Sequence, residues 1–66
     1  MPAIFVEAGP MDRGQKVLLE QKLTADVSEV LGVAPESVMV FLRENLLENI
    51  SVGGVPVAEM KKRNGK

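Results

Sequence analysis

The stretch Asp12-Arg13-Gly14-Gln15-Lys16-Val17-Leu18-Leu19-Glu20-Gln21-Lys22-Leu23-Thr24-Ala25-Asp26-Val27-Ser28-Glu29-Val30-Leu31-Gly32 decides the fold. Leu19, Leu23, Val27, Val30 and Leu31 recur at helical spacing, with Lys16, Glu20, Lys22, Asp26 and Glu29 elsewhere on the wheel. This pattern predicts an amphipathic helix of about five turns from Arg13 to about Leu31. Asp12 is the expected N-cap, and Gln15 three residues later completes an Asp-x-x-Gln form of the capping box. Gly14 in the first turn weakens the helix without stopping it. Gly32 supplies a left-handed C-terminal stop, and Pro35 prevents the helix from resuming.

On the amino-terminal side, Ala3 to Glu7 carries the continuous apolar run Ile4-Phe5-Val6 and reads as a strand, broken by the turn chemistry of Ala8-Gly9-Pro10-Met11. On the other side, Ser37 to Glu44 contains Val38-Met39-Val40-Phe41-Leu42 and reads as a second strand. Strand, helix and strand in this order make a βαβ unit with parallel strands. Continuous apolar runs suit strands covered on both faces. One helix covers one face, so the other is expected to meet a partner subunit. Asn45 to Asn49 reads as a turn or short 3₁₀ piece, and Ile50 to Val57 as a β-hairpin around Gly53-Gly54 that packs on a neighbouring subunit. Residues 59–66, ending Lys61-Lys62-Arg63-Asn64-Gly65-Lys66, read as a frayed basic tail. The expected fold is α+β: a single domain over residues 1–66 with two parallel strands, one long helix and a C-terminal β-hairpin.

Composition narrows the chemistry. A chain of 66 residues sits where one core is marginal without disulfides, metal or self-association. Cysteine and histidine are both absent, which excludes disulfides, Cys or His metal sites, a Ser/His/Asp triad and a Cys/His dyad. With 45% apolar and only 3% aromatic residues, there is more aliphatic surface than one small βαβ unit buries, so an oligomer is expected. A net charge of −1 gives no electrostatic case for nucleic acid or an anionic membrane. Neither a membrane-length apolar run nor a signal-peptide pattern is present, making the cytoplasm the expected compartment.

The remaining candidate for chemistry is Pro2. Met1 is ordinarily removed before a small residue such as proline, and Pro2 then carries a free secondary amine. An α-amino group titrates near ~7.7 to 8.0, and apolar burial lowers that value because the cation is poorly solvated there. Such an amine moves protons at neutral pH.

The order Met1-Pro2-x-Ile4-x-Val6-Glu7, Gln15-Lys16, Leu31-Gly32-Val33, Pro35-Glu36-Ser37-Val38-x-Val40, Glu44 and Val52-Gly53-Gly54 resembles the 4-oxalocrotonate tautomerase family over almost the whole chain. The resemblance implies a tautomerase-like βαβ subunit that dimerises through a four-stranded sheet, with dimers assembling as a homohexamer. It also implies Pro2 as a general base that shuttles a proton between oxygen and carbon of a small enol or dienol carboxylate, with no cofactor. One group near neutral pKa serves as base and then as acid in such a reaction.

Family members commonly carry an Arg after the first-loop glycine, an Arg between two valines of the second strand, and an aromatic residue before the hairpin glycines. Here Pro10 and Met11 follow Gly9, Met39 lies between Val38 and Val40, and Ile50 takes the aromatic position. The cations that could hold a carboxylate instead are Arg13 and Arg43. Arg13 is equally well read as an exposed first-turn side chain. Arg43 shares a strand face with Met39 and Phe41, and an ion pair with an acid of a neighbouring subunit is its favoured reading. Glu44 points to the opposite face. The expected pocket, formed at subunit interfaces, is lined by Ile4, Val6, Met39, Ile50 and Val52. The alternative function is a non-catalytic oligomeric module of the same fold that binds a ligand or protein partner.

Overall fold

The two apolar runs pair with each other, as their place on either side of a capped helix requires, in the computed structural model, which describes residues 1–64. Strand β1 (Ala3–Ala8) lies parallel to β2 (Met39–Glu44), with Ala3 opposite Met39, Phe5 opposite Phe41, Glu7 opposite Arg43 and Ala8 opposite Glu44. Helix α1 (Arg13–Leu31) connects them. Since the strands are parallel, α1 runs back along the sheet. Its first turn sits where the strands end, and Leu31 returns to the end where Pro2 begins.

Both expected ends of α1 are present. The Asp12 side chain accepts the Gln15 N–H at 2.8 Å, and Gln15 Oε1 accepts the Asp12 N–H at 3.1 Å. Gly32 adopts φ 67°, and its N–H donates to the Ser28 carbonyl at 2.9 Å. The stripe along α1 is shorter than its spacing predicts. Leu19, Leu23 and Val27 are partly buried, whereas Val30 and Leu31 are 80% and 59% exposed. A helix of 19 residues is about 28 Å long against about 20 Å for a strand of 6, so its last turn overhangs the sheet.

Burial alternates strictly along β1: Ile4, Val6 and Ala8 are partly buried on the side of α1, while Ala3, Phe5 and Glu7 are exposed. In β2 the partly buried residues are Val40 and Leu42, and Met39, Phe41 and Arg43 share the open face with their β1 partners. The alternation matches a sheet covered by α1 on one face and left open on the face where a partner subunit is expected. One helix covers one face, and the apolar residues opposite remain in contact with solvent.

A 3₁₀ turn at Pro35–Ser37 delays the second strand to Met39, two residues after the Ser37 start read from the sequence. A second 3₁₀ turn, Leu47–Asn49, occupies the expected connection. The hairpin consists of β3 (Ser51–Val52) and β4 (Val55–Pro56), shorter than the Ile50 to Val57 read from the sequence. Gly53 and Gly54 both take positive φ, 60° and 85°, as a tight two-residue hairpin connection requires. Where the sequence suggests a frayed tail from residue 59, the backbone forms helix α2 (Val57–Asn64), packed against the Leu47–Asn49 turn and β4. Gly65 and Lys66 of that expected tail lie outside the described residues. Among the described residues, no helix is long and apolar enough to cross a membrane.

Candidate active site

Pro2 heads β1, and β2 anchors it: the Met39 N–H donates to the Pro2 carbonyl at 2.9 Å. Pro2 is partly buried, while Met1 before it is 86% exposed. With Met1 attached, the Pro2 nitrogen is an amide and has no proton chemistry. Loss of that exposed residue would leave a secondary amine on a backbone already fixed by the sheet.

Of the candidate site residues, one chain brings only Met39 to Pro2. Arg43 lies opposite Glu7, five residues beyond Pro2 and thus about 16 Å along the strand. Arg13 opens α1 at that same far end. A Cβ built on Gly9 would lie 3.2 Å from Leu47 Cδ2, which places the turn before Ile50 and Val52 at the far end as well. Nor do Ile4 and Val6 share a pocket wall with Met39 in one chain. They face α1, and Met39 lies on the open face. In one chain Arg13 and Arg43 therefore lie far from Pro2.

The Arg43 partner is in its own chain. Arg43 Nη1 lies 2.9 Å from Glu7 Oε2, and the Asn45 amide donates to Glu7 Oε1 at 3.2 Å. Arg43 also sits 5.1 Å above the centre of the Phe5 ring. The Arg43 hydrogen bond, reinforced by that of Asn45, holds the Glu7 carboxyl below the ordinary glutamate range. The favoured sequence reading, an acid from a neighbouring subunit, is corrected here. Glu44 of the same strand points to the other face, and parallel pairing supplies Glu7 from the strand beside it.

Glu44, unassigned by the sequence reading, joins three elements. Its Oε2 accepts the Met11 N–H at 2.8 Å and its Oε1 pairs with Lys16 Nζ at 3.1 Å. The Met11 backbone hydrogen bond, followed by Lys16, lowers its carboxyl pKa. Once β1 and β2 are read as parallel, the last residue of β2 falls beside the loop leaving β1, and this is the signal that could have found it. Arg13 is exposed and forms no ion pair among the described residues.

Two surface hollows lie along α1, of about 360 Å³ beside Glu20, Thr24 and Pro35 and about 280 Å³ beside Met11, Leu18 and Lys22. Neither is lined by Pro2. Among the described residues, no group of three acidic side chains is placed to hold a metal ion.

The family described as "Tautomerase enzyme" matches residues 3–60. No curated protein matches the sequence. Among solved structures, the chain is similar to TomN, a 4-oxalocrotonate tautomerase homologue in the tomaymycin biosynthetic pathway. The two share 32% identity at a TM-score of 0.87, covering 98% of this chain and 100% of that one. It is also similar to DmpI from Archaeoglobus fulgidus, with 28% identity, a TM-score of 0.80, and 86% and 98% coverage. A heterohexamer 4-oxalocrotonate tautomerase from Chloroflexus aurantiacus shares the fold at a TM-score of 0.84 and 23% identity, covering 91% of this chain and 98% of that one.

Proposed function

This chain belongs to the tautomerase family, and from that premise we propose that it is an enol-keto tautomerase acting through Pro2 on a small enol carboxylate. Family membership supports a tautomerase-like isomerase function in general. The observation that carries the specific reading is the position of Pro2: partly buried, pinned through its carbonyl to Met39, and preceded by the exposed Met1.

In this reading Met1 is lost and the Pro2 amine takes the enol hydroxyl proton. The oxygen electrons close the carbonyl, the carbon-carbon π pair takes a proton at carbon from the Pro2 ammonium, and the amine is regenerated. Protons balance without any cofactor. A homo-oligomer, the homohexamer of the family resemblance, supplies what one chain lacks, since Arg13 and Arg43 lie at the far end from Pro2. Met39 beside Pro2 brings no charge, which disfavours dicarboxylate substrates needing two cationic contacts.

The test follows ketonisation of a simple enol acid by absorbance for the purified protein and for Pro2→Ala. A large loss of rate is expected, and equal rates would sink the mechanism. Met39 between Val38 and Val40, Pro10 after Gly9 and Ile50 before the hairpin glycines, in place of the two arginines and the aromatic residue, favour a second reading, a non-catalytic binding module. The intact mass of natively expressed protein separates the two, because retention of Met1 leaves Pro2 an amide.

A further inference from the structure

We infer that the substrate of this chain is a monoacid whose reacting carbon bears an apolar group such as an aryl ring, and that Met39 is the residue that sets this preference. The inference deepens the proposed function and rests on it for the reaction, while the preference itself is a matter of binding.

The first observation is the distribution of charge. From Leu23 to Leu42 the sequence has no Lys or Arg, and it carries Asp26, Glu29 and Glu36. This stretch comprises the second half of α1, the Pro35–Ser37 turn and the start of β2, the elements that reach the Pro2 end of the sheet. The cations that precede α2 lie elsewhere: Arg13 and Lys16 at the start of α1, Lys22 at its middle and Arg43 near the end of β2. Two of them are already paired, Lys16 with Glu44 and Arg43 with Glu7. A carboxylate gains most from a charged donor that meets it directly, and taking one out of water without such a donor is costly. The Pro2 end of the chain offers no such donor, and its three acids add negative charge. The one carboxylate of a monoacid meets the cation that the oligomer of the proposed function supplies, whereas a second carboxylate has no partner here.

The second observation is what stands there instead. Pro2 precedes the first residue of β1, so it lies at the end of the sheet where the two faces meet. On the open face are Ala3 and, opposite it, Met39, whose N–H donates to the Pro2 carbonyl and whose side chain is 40% exposed. Phe41 continues that face beyond Met39, stacked on Phe5. On the other face the overhanging last turn of α1 leaves Val30 and Leu31 open to solvent. A thioether side chain is unbranched, adapts to the shape it meets and makes favourable contacts with aromatic rings. A planar ring beside Met39 therefore gains apolar contact, and a carboxylate in the same place loses water without gaining a partner.

The test compares two planar unsaturated acids that do not tautomerise: trans-cinnamate, with one carboxylate and a phenyl ring, and fumarate, with a second carboxylate in place of the ring. Binding is measured by calorimetry on the natively expressed full chain and its variants. Wild type is expected to bind cinnamate about tenfold or more tighter than fumarate. Met39→Arg is expected to shift the ratio of the two affinities toward fumarate by about tenfold or more. Leu18→Arg, beside the hollow at the opposite end of α1, is expected to leave the ratio unchanged. Since a charge at Met39 adds strain at the strand end, Met39→Ala is measured as well, and is expected to weaken cinnamate about fivefold while leaving fumarate unchanged. Fumarate bound as tightly as cinnamate by wild type, binding of neither acid, an unaltered cinnamate affinity in Met39→Ala, or a ratio that moves as far in Leu18→Arg as in Met39→Arg overturns the inference. Pro2→Ala separates this result from the mechanism. Ketonisation unchanged in Pro2→Ala with cinnamate still preferred overturns the Pro2 mechanism alone, and ketonisation lost with fumarate preferred overturns this inference alone.

Discussion

The Met11 N–H donates to Glu44 Oε2 at 2.8 Å, joining residues 33 positions apart, while the other oxygen of the same carboxylate holds Lys16 at 3.1 Å. One side chain at the end of β2 therefore anchors both the loop leaving β1 and the first turn of α1. Glu44 has a folded pKa below its ordinary value, so it stabilises the fold fully above about pH 4.3, and that contribution is lost as pH falls through the folded value. Glu44→Gln is expected to lower Tm at neutral pH and to converge on wild type as pH falls below about 4.3 and through the lowered folded value. Thermal unfolding by circular dichroism across that range checks it, and a pH-independent gap would remove the carboxylate charge from the account.

The capping box at the start of α1 makes a separable prediction. Asp12→Ala removes the acceptor for the Gln15 N–H and is expected to cost about 1 kcal/mol in denaturant unfolding. Asp12→Asn keeps an acceptor oxygen and should retain most of that stability. Equal losses for the two variants would assign the effect to charge.

Gly32 ends α1 at φ 67°, and a Cβ built there meets nothing within 4 Å. Replacement by alanine is thus a test of backbone strain alone, expected to cost roughly 1–2 kcal/mol. Gly32→Asn should lose less, because asparagine tolerates the left-handed region. A wild-type midpoint for Gly32→Ala in denaturant would contradict the left-handed stop.

Processing of Met1 should switch the chemistry. Protein lacking Met1 is expected to ketonise an enol acid about 100-fold or more faster than protein retaining it, within the usual range for a positioned acid-base group. Its kcat/KM should fall at acid pH, since only the unprotonated amine accepts the enol proton. Rates measured on the two forms separated by mass decide this, and equal rates would take Pro2 out of the mechanism.

The sequence by itself determined the local structure. The Asp12 and Gln15 capping box, the Gly32 stop, two β segments and the Gly53-Gly54 turn are all written in neighbouring residues, because caps and turns depend on side chains a few positions apart. The βαβ order and the candidacy of Pro2 were legible for the same reason. Tertiary structure alone decided what crosses the chain. Parallel register brought Glu7 to Arg43 and Glu44 to Met11, set Ile4 and Val6 on the face opposite Met39, and left Arg13 and Arg43 at the far end from Pro2. The turn before β2 and the carboxy-terminal helix where a tail was expected also came only from the fold. Periodicity tells which residues of a strand share a face. Only the pairing of distant strands decides which residues of the other strand lie beside them, and at which end of the sheet each charge falls.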